Sequence, residues 1–330
     1  MKQIIITLVL FSFSSVYAQT FNLEPGTSIQ GTIDQAQNGD EIILAPGKYE
    51  ENIDFLGKAI SIFGAGKSTI LSPATNTKAT INFVSGETNS TVISDLRLTR
   101  SQGREAISII DSSPVIKNCF IDRNYSNTRA SGIAINGQAA EQAALIRNNV
   151  IALNRALDRD SDPHQIDILN ASPQIENNTI VRGDSNAVFI QGDSSPTIVN
   201  NILAYNGRGS RGRGICLVSL SNNSSTNINH NLFFRNKRGD IFIEGVDYKN
   251  IEKAQELETL VALPFTLASN IHAHPRFKKL RRIKNLDLRR KSQARDAGNP
   301  DSRFNDKDDS RNDIGYTGGQ GSSFSSVSLF

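Results

Sequence analysis

The six residues Ile175-Glu176-Asn177-Asn178-Thr179-Ile180 return 23 positions later as Ile198-Val199-Asn200-Asn201-Ile202-Leu203. With the opening Ile as position zero, the same frame fits at Ile116, Ile146, Ile175, Ile198 and Ile228, at lags of 30, 29, 23 and 30 residues. Position two holds Asn118, Asn148, Asn177, Asn200 or His230, and position three holds Cys119, Asn149, Asn178, Asn201 or Asn231. Position five is apolar (Ile121, Ile151, Ile180, Leu203, Phe233), and position eight is Asn124, Asn154, Gly183, Asn206 or Asn236. A second alternating run closes each unit, at 132–135, 165–169, 187–190, 214–218 and 240–243.

Short runs that alternate apolar with polar or small residues are strand material, and Asn at fixed offsets marks tight turns because it tolerates left-handed backbone. One such unit cannot bury its own apolar side and must stack on its copies, about 4.8 Å apart. The repeat therefore predicts an all-β solenoid in which each unit is one lap of a parallel β-helix, right-handed by the general preference of parallel crossovers. The runs at 41–45, 59–64, 79–84, 91–98 and 106–110 continue the pattern upstream. Ile29, Ile33 and Ala36, at helical spacing after Thr27, predict a short cap helix over 28–37 that closes the open end, and 251–261 reads as a second helix.

The ends carry other signals. Met1-Lys2, the apolar stretch Ile4 to Phe13 and Val16-Tyr17-Ala18 before Gln19 have the form of a secretory leader. A membrane anchor needs roughly 20 apolar residues, and Ser12, Ser14 and Ser15 interrupt this stretch. The expected organisation is a leader over 1–18, an N-terminal cap over 19–38, the β-helix over 39–250, a C-terminal cap and closing segment over 251–319, and a flexible tail over 320–330. Secretion with no further membrane span is the expected location. Cys119 and Cys216 are the two cysteines, on strands three laps apart, too far to bridge, so buried free thiols are expected and no disulfide framework exists. Net charge is +3, but residues 276–295 hold ten Lys or Arg against one Asp.

The stretch "SIQGTIDQAQNGDEIILAPGKYEENIDFLGKAISIFGAG" resembles the opening of secreted pectin-lyase-like β-helix proteins, and "DAGNPDSRFNDKDDSRNDIGYTGG" is similar to the closing module of bacterial members with a choice-of-anchor Q region. The resemblance covers most of residues 27–319. It implies the fold, but activity only loosely, since this architecture carries lyases, hydrolases, epimerases and non-enzymes. The basic run at 276–295 departs from the acidic or neutral stretch usual in such relatives.

"GAGKST" at 64–69 lacks the first Gly of a phosphate loop and is followed by strand residues, so no nucleotide is expected. From position eight to the next strand the chain takes 9, 12, 5, 9 and 5 residues, so three laps are enlarged at one corner. Inserts on one edge of a solenoid align along one face, often the binding face. Here they bring Arg129, Arg155, Arg159, Arg208, Arg211 and Arg213 together with Asp158, Asp160, Asp162 and His164. Ordinary solvated loops would also be polar.

The sharper reading is a groove for an acidic polysaccharide, since removing a proton beside a uronate carboxylate requires that carboxylate to be neutralised by Arg or calcium. Asp158, Asp160 and Asp162 alternate as calcium ligands do, although Pro163 stands where such a loop wants Gly. "DPHQ" at 162–165 resembles the "DPHE" of mannuronan carbon-5 epimerases, which implies catalytic roles for Asp162 and His164; Gln165 replaces the Glu, and Arg159 stands where that motif has Tyr. The expected catalytic set is Asp162, His164, Arg155 and Arg159, with Arg129, Tyr125, Arg208, Arg211 and Arg213 binding substrate. Tyr125 and Tyr205 substitute as sugar-stacking rings for the absent Trp. The alternative function is a non-catalytic surface or adhesion module binding envelope polymers. Nucleic acid is disfavoured as a partner because a secreted chain seldom meets it.

Overall fold

The structure, a computed structural model, describes residues 18–137, 143–158, 160–208, 212–221, 224–243, 245–258 and 265–323. The expected leader up to residue 17, Arg159, Arg211 and residues 324–330 lie outside the described residues.

Each lap contributes one strand to each of three sheets, ten-, nine- and nine-stranded, parallel except where Val246–Tyr248 adds antiparallel to the edge of the third. The lap that opened the sequence argument supplies Gln174–Glu176 to the first sheet, Thr179–Val181 to the second and Val188–Gly192 to the third. In the first sheet Ile116, Ile146, Ile175, Ile198 and Ile228 are successive register partners. The second sheet stacks Ile121, Ile151, Ile180, Leu203 and Phe233 in the same way, and the third stacks Ile133, Ile166, Val188, Ile215 and Ile241. All point into one continuous core and are fully buried. The recurrence in sequence therefore becomes a column in space, each Ile packing on copies of itself above and below.

The turns follow from the amides. Asn118, Asn148, Asn177, Asn200 and His230 all take left-handed backbone, φ between 51° and 59°. One residue later the side chain turns inward: the Oδ1 atoms of Asn149, Asn178, Asn201, Asn231 and Asn270 each accept the backbone N–H of the preceding rung, at 2.8–3.0 Å. Cys119 begins this ladder as a buried free thiol pushed up to about 12 by desolvation. Buried backbone groups at a corner have no strand partner, so the amides supply what the sheets cannot.

Helices close the two ends of the solenoid. Helix α1 (Ile29–Gln35) begins one residue later than Thr27 suggested, with Ser28 as its cap, and buries Ile29 and Ile33 over the first lap. Glu51 accepts from the N–H groups of Ile29 and Gln30, and Lys58 donates to the carbonyls of Ile33, Asp34 and Ala36, so each end of the helix meets the charge its dipole favours. Helix α2 (Ile251–Glu258) covers the other end with Ile251 and Ala254.

Beyond α2 the chain doubles back along the outer side of the second sheet. Phe277–Lys279 and Asn285–Leu288 pair antiparallel, and Phe277, Ile283, Leu286, Leu288, Ile314 and Tyr316 form a second apolar cluster with Phe120, Val150, Val181, Ile202 and Leu232. The closing strap lies on the outward-facing asparagines. Asn118 donates to the carbonyl of Gly321 at 3.2 Å, Asn148 to that of Gly318 at 2.7 Å and Asn177 to Asn312 Oδ1 at 2.9 Å, while Asn200 accepts from the N–H of Asn299 at 2.8 Å.

Candidate functional site

The enlarged corners stack. Gln102–Gly103, Tyr125–Ser126 and Arg155–Ala156 form a narrow parallel ribbon at the corner between the second and third sheets. The same edge continues as the N–H of Asp184 bonds to Asn154 and that of Gly207 to Gly183. The expected arginines nevertheless part company on either side of this edge.

On the third-sheet side the arginines are tied down. Arg129 grips Asp167 with Nε and Nη2, each at 3.2 Å. Arg213 is paired with Asp247 and lies over the Phe242 ring, its guanidinium 4.4 Å from the centroid. His164 stacks on Phe189 at 4.2 Å between ring centroids, and its Nδ1 lies 3.0 Å from Ser185 Oγ and 3.3 Å from Asn186 Nδ2. Burial, reinforced by Arg129 and Arg213, brings its pKa down to about 3. His164 is thus neutral at any ordinary pH, and its 4.0 Å approach to Asp167 is not an ion pair. Desolvation carries Asp167 up to about 6 against the pull of Arg129. Cys216 lies in the same outer row, next to Phe189 and Phe242, its thiol raised to about 11 by burial.

Gln165 has a structural place. Position eight of its neighbouring lap is Gly183, which leaves a gap in the inward ladder of Asn124, Asn154, Asn206 and Asn236. The fully buried Gln165 side chain fills that gap: Asn154 Nδ2 donates to its Oε1 at 3.3 Å, and its Nε2 donates to Asn206 Oδ1 at 2.7 Å. A Cβ on residue 183 would stand 2.5 Å from Gln165 Cγ, so only glycine fits. The residue that departs from the epimerase-like motif is therefore bound up in the core, and no carboxylate replaces it.

The metal reading fares no better. Asp158 Oδ1 accepts the N–H groups of Asp160 and Ser161, closing a local turn, and the Ser161 hydroxyl, then these N–H groups, hold its carboxyl below the usual range. Among the described residues no three His, Cys, Asp or Glu side chains are grouped to hold a metal ion. Tyr125 sits half-buried in the ribbon, and Asp162 is half-buried beside the corner.

The opposite side is different. A groove of about 710 Å³ is lined by Arg123, Arg155, Arg182, Arg208, Arg281 and Arg282 with Leu153, Tyr205 and Leu280. Three of these, Arg155, Arg208 and the ring of Tyr205, were expected. Arg281 and Arg282 come from the basic segment, whose tip takes left-handed backbone at Arg282 (φ 55°) and Ile283 (φ 48°). Arg123, Leu153, Arg182 and Tyr205 belong to one column, position seven of the repeat, which continues to Arg235; φ along it runs from 50° to 62°. Left-handed backbone costs non-glycine residues about 1–2 kcal/mol each, and such strain gathers at functional edges. That column escaped the sequence reading because its members are chemically mixed. Their constant offset was the available signal.

The groove carries an excess of positive charge. Among the described residues no carboxylate lines it, although behind the lining Asp122 pairs with Arg123 and Asp184 Oδ1 lies 3.9 Å from Arg155 Nε, which makes no hydrogen bond there. Arg182 reaches the carbonyl of Leu280 at 3.5 Å, joining the solenoid wall to the basic hairpin. Tyr205 packs edge-on against Phe234 at 5.5 Å, and both rings approach His274. The arrangement is suited to receive several negative charges beside a ring surface.

Among solved structures, the chain is similar to an alginate lyase from Paenibacillus sp. str. FPU-7, at 14% identity and a TM-score of 0.34, covering 70% of this chain and 98% of that one. It is also similar to pectate lyase Pel9A, at 12% identity and a TM-score of 0.47, covering 92% and 97%. At these values neither likeness bears on activity. No similar sequence is found among curated proteins. The family described as "Right handed beta helix region" matches residues 79–253, more than half of the chain and the very laps whose ladders run through the three sheets. The chain belongs to that right-handed β-helix family.

Proposed function

We propose that this protein binds an acidic polysaccharide, outside the cytoplasm, along the arginine-lined groove between the second sheet and the basic hairpin. The observation that carries the reading is six guanidinium groups lining one groove, with no carboxylate in that lining among the described residues. Guanidinium forks match carboxylates in two-point fashion and remain charged at every working pH. Leu153, Leu280 and the Tyr205 ring add the apolar surface that a sugar face needs. Modification of a bound uronate by elimination or carbon-5 inversion belongs to this reading. The Asp162 and His164 pair does not serve it, because His164 is buried and neutral on the other side of the edge. Modification therefore requires a proton-transfer group within the groove itself; the alternative reading is a non-catalytic binding module.

The test is calorimetric titration of the protein with polygalacturonate, alginate and a neutral glucan, at low and high salt. Binding to the polyuronates alone, weakened by salt, is expected. Arg182→Ala and Arg281→Ala each remove a charge-assisted contact and should weaken it roughly tenfold or more. Equal affinity for the neutral glucan, or arginine variants that bind unchanged, would sink the proposal.

A further inference from the structure

Tyr205 is the one titratable side chain other than arginine that lines the groove among the described residues. Its hydroxyl oxygen stands 3.4 Å from His274 Nε2. The other ring nitrogen of His274 is already occupied: Nδ1 accepts the backbone N–H of Arg276 at 2.8 Å. Burial first, then Arg276, Arg235 and Arg289, hold His274 below its ordinary 6.5, so the ring is neutral near pH 7. A neutral imidazole whose Nδ1 accepts must carry its proton on Nε2. His274 therefore donates to the Tyr205 oxygen, and the phenol's own proton is left for a ligand.

The charges around that oxygen point the same way. Burial raises the Tyr205 phenol above its ordinary value, while Arg235 and Arg182 pull it back towards ionisation. Arg123, Arg155, Arg208, Arg281 and Arg282 complete the positive lining; among the described residues no acidic side chain belongs to that lining, and Asp122 and Asp184 stand behind it against Arg123 and Arg155. Residue 205 is also held in left-handed backbone, φ 61°, where an aromatic residue seldom sits. An oxygen with one fixed donor beside it, in a groove that neutralises carboxylates, is equipped to move a proton.

We propose that Tyr205, positioned by His274, is the catalytic residue of a β-elimination on a uronate polymer bound in this groove. The inference rests on the polyuronate reading above. The arginines pair with the uronate carboxylate and stabilise the charge that builds up on it as carbon 5 loses its proton. The ionised Tyr205 oxygen takes that proton. The C5–H electron pair becomes the C4=C5 double bond, and the C4–O4 bond breaks with its pair on O4. The proton just gained by Tyr205 passes to O4, which leaves as the new chain end and returns the tyrosine to its starting form. No oxidant or other co-reactant is consumed.

The full chain is offered polygalacturonate and alginate, following the ultraviolet absorbance of the new double bond beside calorimetric binding. The wild-type protein should produce unsaturated ends, faster as pH rises through neutrality, since burial leaves the phenol largely protonated there. Tyr205→Phe should lose at least about a hundredfold in rate while binding unchanged. His274→Ala should move the pH profile to higher values, because the phenolate loses its donor, and His274→Gln, which keeps an N–H, should restore part of the shift. Polymer binding without unsaturated ends overturns the elimination and leaves the binding proposal standing; absence of binding overturns both. Inversion at carbon 5 without elimination, or full activity in Tyr205→Phe, also overturns it.

Discussion

Gln165 and Gly183 complement one another across adjacent laps: the glycine opens a hole in the inward amide ladder, and the glutamine amide fills it, joining Asn154 to Asn206. A three-residue likeness to a catalytic motif thus ends in a residue whose side chain completes the core.

Gln165→Glu would place a carboxylate at a fully buried site among amides, and should cost roughly 3 kcal/mol or more. Gly183→Ala forces a Cβ against Gln165 and should cost about 1–3 kcal/mol. Urea denaturation followed by circular dichroism checks both. A midpoint unchanged in either variant would show that the ladder does not pass through Gln165.

Ile198 is fully buried between Ile175 and Ile228. Ile198→Ala should cost about 3 kcal/mol, because neighbouring laps are held at strand spacing and cannot collapse into the space. Guanidinium unfolding measures this, and a loss well under 1 kcal/mol would contradict a tightly stacked column.

The two asparagine columns should behave differently. Asn201→Ala strips the partner from the Asn178 N–H and should lower global stability by about 2 kcal/mol. Asn177 holds the strap through Asn312, Asp313 and Gly315, so Asn177→Ala should expose residues 299–319 to limited proteolysis before the solenoid unfolds. Simultaneous loss of strap and solenoid would refute that separation.

His164 titrates at 6.5 when unfolded and at about 3 in the fold. Its folded value is depressed, so the unfolded chain binds the extra proton, and stability present above 6.5 is lost as pH falls towards about 3. His164→Gln should escape that loss. Melting temperatures of the two proteins should diverge in this window, the wild type falling faster with acid, and parallel curves would mean the ring is not buried neutral.

The repeat frame was legible because it is local chemistry at fixed spacing. An Ile every 23 to 30 residues and an Asn two or three positions later specify columns and corners wherever laps stack. The cap helix was legible from Ile29 and Ile33, and the aligned corners from insert lengths. The grouping of the arginines was not. Arg129 and Arg213 are adjacent in the frame to Arg155 and Arg208, yet they face another side and are neutralised by Asp167 and Asp247.

By itself, the sequence determined the solenoid, its register, its closed ends and the side on which laps enlarge, because each depends on contacts one lap away that periodicity encodes. The tertiary structure alone decided that the basic segment returns along the second sheet, that Arg281 and Arg282 meet Arg123, Arg155, Arg182 and Arg208, and that Tyr205 faces His274. Those meetings join residues roughly 70 to 160 positions apart without any shared period. Only burial of the apolar outer face of the second sheet under Phe277, Ile283, Leu286 and Leu288 brings them together.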